Sequence, residues 1–301
     1  MNNSPPFTKT RLAPTPSGYL HLGNILSFLI TSALARRHQA KILLRIDDLD
    51  RSRVKDAYID DIFETLHFLE IPWDEGPKDT ADFKSKFSQV HRLDLYENAI
   101  KELAEKNVCF ACVCSRKKIA ASGESAGYPG FCKQLNIPLG RKGCCWRYGT
   151  SQEKSVPINI YPNQLVNSDF PVGMKDFVVR KKDGFPAYQL SSVVDDVHFG
   201  IDFVVRGVDL WDSTLAQIDL ASNLREYQSF RSTVFFHHQL MKDGENKMAK
   251  SSGSTSIQFL RKSSTKKEDI YRKICEFLKF PTMASSLDQF IEIYNRESSQ
   301  Q

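Results

Sequence analysis

The feature that most constrains the fold is a short apolar segment, Lys41–Ile46, that lies between two amphipathic helical patterns. Such a run of Ile and Leu is typical of a strand buried on both faces of a parallel sheet. Before it, a strand and a turn-rich segment, residues 9–18, lead into a helix whose apolar positions begin at Ile25. After it, a second helical stripe begins at Ile59. Strand, helix, strand and helix in this order predict an α/β fold with a Rossmann-type, doubly wound parallel sheet.

The composition excludes several classes of protein. The 301 residues are 41% hydrophobic and 26% charged, with a net charge of +5, which suits a packed core and allows a polyanionic partner without requiring one. The polar N-terminal segment predicts no signal peptide, and the longest apolar stretch, Ile25–Ala35, is too short to span a bilayer. Seven cysteines without an export signal favour reduced thiols or metal ligands. We therefore expect a cytoplasmic protein that does not enter a membrane.

Two polar segments have the composition of phosphate-binding sites. In the first, His21 and Asn24 flank Gly23 at the start of a helix, where backbone N–H groups and the helix dipole favour phosphate. In the second, Lys247 and Lys250 lie three residues apart in a loop of small residues, as suits a polyphosphate. Each segment alone has an ordinary alternative, namely a βα turn capped by asparagine and a solvated pair of lysines.

Taken together and in this order, the two segments resemble the HIGH and KMSKS signature sequences of class I aminoacyl-tRNA synthetases. Other segments are similar to the glutamyl and glutaminyl branch of that family, namely Arg11–Gly18, Arg45–Asp50 with Arg53, Tyr188–Leu190, Val193–Asp196 and Val205–Leu210. The resemblance runs from about Thr10 to Gly253. It implies an AMP-forming ligase that activates an amino acid with ATP and Mg²⁺.

A glutamate pocket needs cationic groups for two carboxylates and an acidic group for one ammonium. Arg11 and Arg206 can supply guanidinium forks for the carboxylates. Asp47 can bind the ammonium, and the Tyr188 hydroxyl can orient the substrate. The resemblance places Arg206 where glutamate-using members carry an arginine for the side-chain carboxylate, which disfavours glutamine. The resemblance also assigns the backbone segment of Leu12, Ala13, Pro14 and Thr15 to glutamate binding.

The resemblance implies a reaction in which the glutamate α-carboxylate attacks the α-phosphate of ATP. Because the nucleophile is already ionised, positioning and charge stabilisation dominate catalysis. We expect His21, Lys247 and Lys250 to be catalytic, with Mg²⁺ as the accompanying cation. Gly23 and Asn24 are expected to bind ATP together with His21 and Lys250.

A cluster of cysteines predicts a structural zinc site. Cys112, Cys114 and Cys132 can supply three thiolates of a tetrahedral zinc, which needs one further ligand. On chemistry alone Cys109 could be that ligand, because zinc tyrosinate is rare. The resemblance implies Tyr128 instead, since C-x-C…Y-x-x-x-C matches the zinc site of glutamyl-queuosine tRNA(Asp) synthetases. Buried thiols without a metal are the alternative.

The composition changes sharply after Cys109, where cysteines, glycines and prolines become frequent. With the resemblance, this change predicts four segments: residues 8–108 as the first half of the Rossmann catalytic domain, 109–185 as an inserted zinc-binding, acceptor-like module, 186–240 as the second half, and 241–301 as the lysine loop and a helical C-terminal region without an anticodon-binding domain. About fifty residues follow Ser251, too few for that domain. Two positions depart from the family pattern, Asp47 in place of glutamate and Ala249 in place of serine.

The resemblance therefore implies transfer of glutamate to the queuosine base at the wobble position of tRNA(Asp), and we expect the chain to be a monomer. One alternative is a truncated glutamyl-tRNA synthetase that charges a tRNA 3′ end. A second is a non-catalytic, tRNA-binding paralogue, against which intact His21, Lys247, Lys250 and Arg206 argue. A third is a nucleotidyltransferase of the same fold acting on a small metabolite, which would need neither the glutamate pocket nor the zinc insert.

Overall fold

The structure is a computed structural model that describes residues 7–123, 127–150, 154–241 and 256–298. The strands in these residues are β1 (Lys9–Leu12), β2 (Lys41–Leu44), β3 (Cys109–Cys112), β4 (Cys145–Tyr148), β5 (Ser155–Ile160), β6 (Gln164–Asp169), β7 (Val178–Arg180), β8 (Phe203–Gly207) and β9 (Val234–His238). The helices are α1 (Leu22–His38), α2 (Asp56–Phe68), α3 (Thr80–Asp82), α4 (Leu93–Glu105), α5 (Arg116–Ala120), α6 (Tyr188–His198), α7 (Trp211–Ser222), α8 (Ile257–Lys262), α9 (Lys267–Phe277) and α10 (Leu287–Glu297).

The chain divides into two compact units. The first unit comprises Met1–His91, Phe203–Val208 and Phe236–Gln301, and the second comprises Arg92–Asp202 and Asp209–Phe235. These boundaries differ from those of the four segments expected from the sequence, which stay a prediction.

In the first unit, β1 and β2 are parallel neighbours, with Lys9 opposite Lys41 and Leu12 opposite Leu44. Helix α1 connects them, which is the crossover that parallel strands require. Both strands are buried after their first residue, and all five residues of β8 are buried. The α/β class with parallel strands is therefore confirmed.

Helix α1 is the central helix of the first unit. Its residues from Ile25 to Ala35 are buried with the exception of Ser27, as expected for a helix that is apolar on nearly all sides. Helix α10 is fastened to its C-terminal end, where Nη2 of Arg37 donates to the carbonyl of Asn295 at 2.8 Å and to the hydroxyl of Ser298 at 2.6 Å. The helix predicted after the first phosphate-binding segment is thus held by the C-terminal helices.

The second unit combines antiparallel strands with helices. Strands β3, β4 and β7 form an antiparallel sheet in that order, and Cys112 of β3 lies opposite Cys145 of β4. Strands β5 and β6 form an antiparallel hairpin. A buried ion pair joins the start of α4 to α6, because Asp195 accepts from Arg92 at 2.9 Å and from the Tyr96 hydroxyl at 2.7 Å. In the described part of the chain, no helix is long and apolar enough to cross a membrane.

Candidate active site and metal centre

His21 lies immediately before α1 and caps that helix. Its Nδ1 atom accepts a hydrogen bond from the N–H of Gly23 at 3.1 Å, and the side-chain oxygen of Asn24 accepts from the N–H of His21 at 3.0 Å. This reciprocal pair is a capping box, which satisfies backbone donors of the first turn. Because Nδ1 accepts, the neutral imidazole carries its proton on Nε2, and that atom can donate to a phosphate oxygen. His21 is exposed, so a ligand can reach it.

Gly23 allows the imidazole of His21 to lie against the backbone. A Cβ atom at this position would be 3.0 Å from Cε1 and 3.1 Å from Nδ1 of His21. Those distances are shorter than the separation of about 3.5–4.0 Å at which carbon atoms attract each other. A side chain at this position would therefore require the imidazole to shift by a few tenths of an ångström.

The segments that follow β1 and β2 run side by side. The N–H of Arg45 donates to the carbonyl of Leu12 at 2.8 Å, and the N–H of Asp47 donates to the carbonyl of Pro14 at 2.9 Å. The expected glutamate-binding segment, Leu12–Thr15, therefore lies next to Asp47. Both segments leave the carboxyl ends of parallel strands, where ligands bind in open α/β sheets.

Arg11 of β1 contacts β8 in the first unit at the residue that precedes Arg206. The exposed fractions of Arg11 and Arg206 are only 7% and 5%, and Nη1 of Arg11 donates to the carbonyl of Val205 at 3.3 Å. Buried cations are stable only with acceptors or anions near them. The two guanidinium groups carry the charge that complements a ligand with carboxylate groups.

The protonation of His237 on β9 is set first by burial and then by neighbouring positive charge. Burial lowers its pKa, and the nearby charges of Arg206 and His238 lower it further, to about 3. The imidazole is therefore neutral at physiological pH and adds no further cation beside Arg206. No role for His237 is predicted from the sequence, although two adjacent histidines at the end of an apolar run are a visible signal.

Asp47, the expected partner of the substrate ammonium, is bound by Arg45, for which the sequence predicts no role of its own. Arg45 donates to the two carboxylate oxygens of Asp47, from Nε at 2.8 Å and from Nη2 at 3.1 Å. Bidentate pairs of this kind fix the carboxylate in place. An ammonium ligand at Asp47 would share the carboxylate with Arg45. Since residues two apart on an extended chain face the same side, the spacing was a signal for this pair.

The other predicted substrate residues are placed elsewhere or not described. Tyr188 is the first residue of α6 in the second unit and is 43% exposed. Lys247 and Lys250, together with Ala249, lie outside the residues that the structure describes. The roles of these residues stay predictions.

Four side chains of the second unit form a compact group of potential metal ligands. The Sγ atoms of Cys112, Cys114 and Cys132 all lie within 4.8 Å of one another, and those of Cys114 and Cys132 are 3.6 Å apart. The Tyr128 hydroxyl is 3.3 Å from Sγ of Cys112 and 3.7 Å from Sγ of Cys114. All four residues are buried. Zn–S bonds of about 2.3 Å in tetrahedral geometry separate two sulfur ligands by about 3.8 Å, so the group fits a zinc ion.

The structure distinguishes Tyr128 from Cys109 as the fourth member of this group. Cys112 and Cys109 occupy opposite ends of β3, where they pair with Cys145 and Tyr148, respectively. Side chains alternate between the faces of a strand, so residues three apart point to opposite sides. The group of Cys112 therefore includes the hydroxyl of Tyr128 and not the thiol of Cys109.

Arg147 of β4 lies directly against this group. Its guanidinium carbon is 3.8 Å from the centre of the Tyr128 ring, and Nη1 donates to the carbonyl of Asp176 at 2.8 Å. Burial raises the pKa of Cys112, but the Tyr128 hydroxyl and the nearby Arg147 outweigh it and lower the pKa to about 7. A thiolate is the form that binds a metal. Arg147 was not predicted, because no spacing in the sequence relates it to the cysteines.

The parallel α/β fold and the histidine-capped helix after its first strand are compatible with a class I tRNA synthetase, and comparison with known families tests that class. The family model for the catalytic domain of class I tRNA synthetases for glutamate and glutamine (E and Q) matches residues 8–131 and 152–296. The chain belongs to this family, and it is an enzyme of the ligase class.

Relatives with two different names, glutamyl-Q tRNA(Asp) synthetase and glutamate–tRNA ligase, have nearly the same sequence identity to this chain. The glutamyl-Q tRNA(Asp) synthetase of Symbiobacterium thermophilum is 34% identical over 86% of this chain and 83% of its own length, and that of Prochlorococcus marinus is 33% identical over 83% and 75%. The glutamate–tRNA ligase of Buchnera aphidicola is 33% identical over 83% of this chain and 52% of its own length. The chain thus spans most of the former proteins and about half of the latter.

A solved structure has the same fold. The glutamate tRNA ligase of Elizabethkingia meningosepticum aligns with a TM-score of 0.64 at 21% identity, over 82% of this chain and 52% of its own length. At this identity the likeness concerns the fold alone.

Proposed function

We propose that this protein activates L-glutamate with ATP and Mg²⁺ and transfers it to the queuosine base at the wobble position of tRNA(Asp). The observation that carries the proposal is that Arg11 and Arg206 are both buried in the first unit and that Arg11 bonds to the residue before Arg206. Two guanidinium groups complement the two carboxylates of glutamate. The neutral amide of glutamine lacks the charge that complements a guanidinium, so we expect it to bind less favourably. We place the reaction in the cytoplasm and assign it to a monomer.

Activation requires no general base. An oxygen of the glutamate α-carboxylate attacks the α-phosphorus of ATP, the bond between the α-phosphorus and the bridging oxygen breaks, and pyrophosphate leaves with the bonding electrons. The rate then depends on alignment and on stabilising the charge of the phosphate oxygens. We assign donation from Nε2 to His21, whose orientation depends on Gly23 and Asn24. Lys247 and Lys250, with Mg²⁺, are proposed to offset the remaining charge.

The substrate amino acid is proposed to lie along Leu12–Thr15. Its ammonium would meet the carboxylate of Asp47, which Arg45 holds in a fixed orientation. Asp47 is one methylene shorter than the glutamate typical of the family, so we expect its contact with the ammonium to be longer or mediated by water. Tyr188 is assigned to the same substrate on the strength of the resemblance.

The choice of tRNA(Asp) is supported by two further observations. Relatives named glutamyl-Q tRNA(Asp) synthetase are 33–34% identical over most of this chain, and Tyr128 lies among the cysteines as the pattern of those enzymes implies. We assign one structural Zn²⁺ to Cys112, Cys114, Tyr128 and Cys132. When bound, this ion would cross-link β3 to the segment after it and stabilise the module without entering the chemistry.

Charging of a tRNA 3′ end is the main competing function, because glutamate–tRNA ligases have similar identity. The test is transfer of labelled glutamate, with ATP and Mg²⁺, to tRNA prepared with and without queuosine. Each preparation is used intact and after removal of its 3′-terminal adenosine. We expect label only in queuosine-containing tRNA, and equally with and without that adenosine.

Each other result has a definite meaning. Label that disappears with the 3′-terminal adenosine would establish charging of the 3′ end. Glutamate-dependent exchange of pyrophosphate with ATP, without transfer to any tRNA, would support activation of glutamate. It would refute the proposal that queuosine in tRNA(Asp) is the acceptor. Neither exchange nor transfer would favour a non-catalytic, tRNA-binding protein.

A further inference from the structure

A buried carboxylate on α2 holds the loop that carries His21. Asp61 is 2% exposed. Its Oδ2 atom accepts a long hydrogen bond from the N–H of Leu20 at 3.5 Å, and its Oδ1 atom accepts from Nη2 of Arg261 at 2.6 Å. All four residues belong to the first unit. A carboxylate at this depth is stable as an anion only with a counter-charge and hydrogen bonds.

The carbonyl of the same residue, Leu20, is held by the start of α8. The N–H of Ile257 donates to the carbonyl of Leu20 at 2.7 Å, and Ser256 forms an antiparallel bridge with His21. Arg261 lies one turn further along α8 and reaches Asp61. The backbone before His21 is therefore fixed on both sides, by a side chain of α2 and by the first residues of α8.

We propose that Asp61 is a positioning residue for His21 and that Arg261 is its counter-charge. The orientation of the imidazole depends on the backbone of His21, whose N–H belongs to the capping box. Displacing Leu20 moves that N–H and with it the atom that donates to phosphate. Misplacement of a catalytic group by about 1 Å can cost about 100-fold in rate. The proposal rests on the proposed function, in which His21 contacts ATP.

Glu64 provides a matched control on the same helix. Its carboxylate accepts from the same Nη2 atom of Arg261 at 2.9 Å, but its side chain is 61% exposed. Exposed ion pairs contribute little. A variant of Glu64 therefore removes a carboxylate from Arg261 while leaving the bond between Asp61 and Leu20 in place.

Replacing Asp61 with asparagine creates a specific conflict. A carboxylate accepts from both Leu20 and Arg261, whereas an amide has only one accepting oxygen. In the Asp61→Asn variant, an NH₂ group must face either the N–H of Leu20 or the guanidinium. In the double variant Asp61→Asn/Arg261→Gln, the oxygen at position 61 can accept from Leu20, and its NH₂ group can donate to the amide oxygen introduced at position 261. Arg261→Gln alone leaves the buried carboxylate without its counter-charge.

The experiment measures two quantities for the wild type and the variants Asp61→Asn, Glu64→Gln, Arg261→Gln and the double variant. The first is hydrogen exchange of the backbone amides in residues 18–26. The second is kcat and KM for glutamate in ATP–pyrophosphate exchange. For Asp61→Asn we expect faster amide exchange and a kcat lowered by at least about tenfold, with KM little changed. Glu64→Gln should change kcat by less than about threefold.

The double variant distinguishes positioning from general stability. We expect it to recover amide protection and kcat relative to both single variants, since every polar group again has a partner. The proposal is overturned if Asp61→Asn behaves like Glu64→Gln, or if the double variant is no better than Asp61→Asn. If Asp61→Asn unfolds below the assay temperature, the double variant and Arg261→Gln decide the question by the same comparison. A wild type with neither pyrophosphate exchange nor glutamate transfer would refute the proposed function, while amide protection would still test the hydrogen bond between Asp61 and Leu20.

Discussion

Nη1 of Arg11 donates to the carbonyl oxygen of Val205, 3.3 Å away. This bond joins β1 to β8 at the residue before Arg206, although 194 positions separate the two partners in the chain. Arg11, which is expected to bind one substrate carboxylate, thereby supports the backbone next to Arg206, which is expected to bind the other. The two arginines should act as one unit, so their substitutions should not be additive.

Replacement of Arg206 by glutamine should change substrate preference. The variant removes a buried guanidinium, and loss of such a charged contact typically costs about 3 kcal/mol, or roughly 100-fold in kcat/KM. We expect the loss for glutamate to exceed that for glutamine, so that discrimination between them narrows in ATP–pyrophosphate exchange. Arg231→Gln, at an exposed position, is the control and should leave both values unchanged. Equal losses for both amino acids would argue that Arg206 does not contact the side chain.

The pKa of His237 tests whether the charge of Arg206 lies nearby, and this test needs no substrate. Its pKa is lowered from 6.5 to about 3 by burial, then by Arg206 and His238. We expect NMR titration to show a neutral imidazole at pH 5, and Arg206→Gln to raise the pKa. A pKa near 6.5 in the wild type, or no change in the variant, would contradict this placement of Arg206.

The same shift predicts how stability depends on pH. Below about pH 6.5 the unfolded chain binds a proton at His237 that the folded chain does not bind until about pH 3. The free energy of unfolding should therefore fall as the pH is lowered from 6.5, by at most about 1.4 kcal/mol per pH unit for one group. Denaturant unfolding of His237→Gln should show a weaker dependence over this range.

The parts of the site that the sequence predicted are those with local patterns. The position of His21, Gly23 and Asn24 between a strand and a helix followed from periodicity and turn residues. The spacing of Cys112 and Cys114 predicted a metal group. In each case the residues are close together in the chain, so their spacing in the sequence is enough to predict that their side chains lie near one another.

The remaining features depend on contacts between distant segments. Burial of Arg206 and the neutral state of His237 depend on how β1, β8 and β9 pack, and no local pattern contains that information. The same holds for Arg147, which reaches the cysteines only because β4 pairs with β3. The choice of Tyr128 over Cys109 required the strand register, since alternation along β3 directs Cys109 to the other face.

Replacement of Tyr128 by phenylalanine should weaken zinc binding. The variant removes the hydroxyl that lies 3.3 Å from Sγ of Cys112 and keeps the ring under Arg147. Removing a residue that only hydrogen-bonds to a metal ligand typically lowers metal affinity by roughly tenfold or more. Loss of a ligand itself should lower the affinity for zinc by at least that factor. Zinc content after dialysis and the absorption spectrum of the Co²⁺-substituted protein measure the effect. Cys109→Ser is the matched control and should retain one ion per chain; loss of zinc in that variant instead would assign the site to Cys109.

A hydrogen bond between Ser27 and His238 should stabilise the first unit. Ser27 Oγ is 2.5 Å from Nε2 of His238, and Nδ1 of His238 lies 2.9 Å from the carbonyl of Gln239. A carbonyl can only accept, so Nδ1 of His238 donates to it, and the other ring nitrogen, Nε2, pairs with the serine hydroxyl. Ser27→Ala removes this partner of His238, whose side chain is only 7% exposed, at an expected cost of about 1–3 kcal/mol.

Thermal unfolding measures this cost. A destabilisation of 1 kcal/mol corresponds to about 2–4 °C in a protein of this size, so Ser27→Ala should lower Tm by several degrees. Ser27→Thr keeps the hydroxyl and should retain most of the stability, and Ser85→Ala, at an exposed position, should have no effect. If Ser27→Thr destabilised as much as Ser27→Ala, the packing of α1 and not the hydrogen bond would account for the loss.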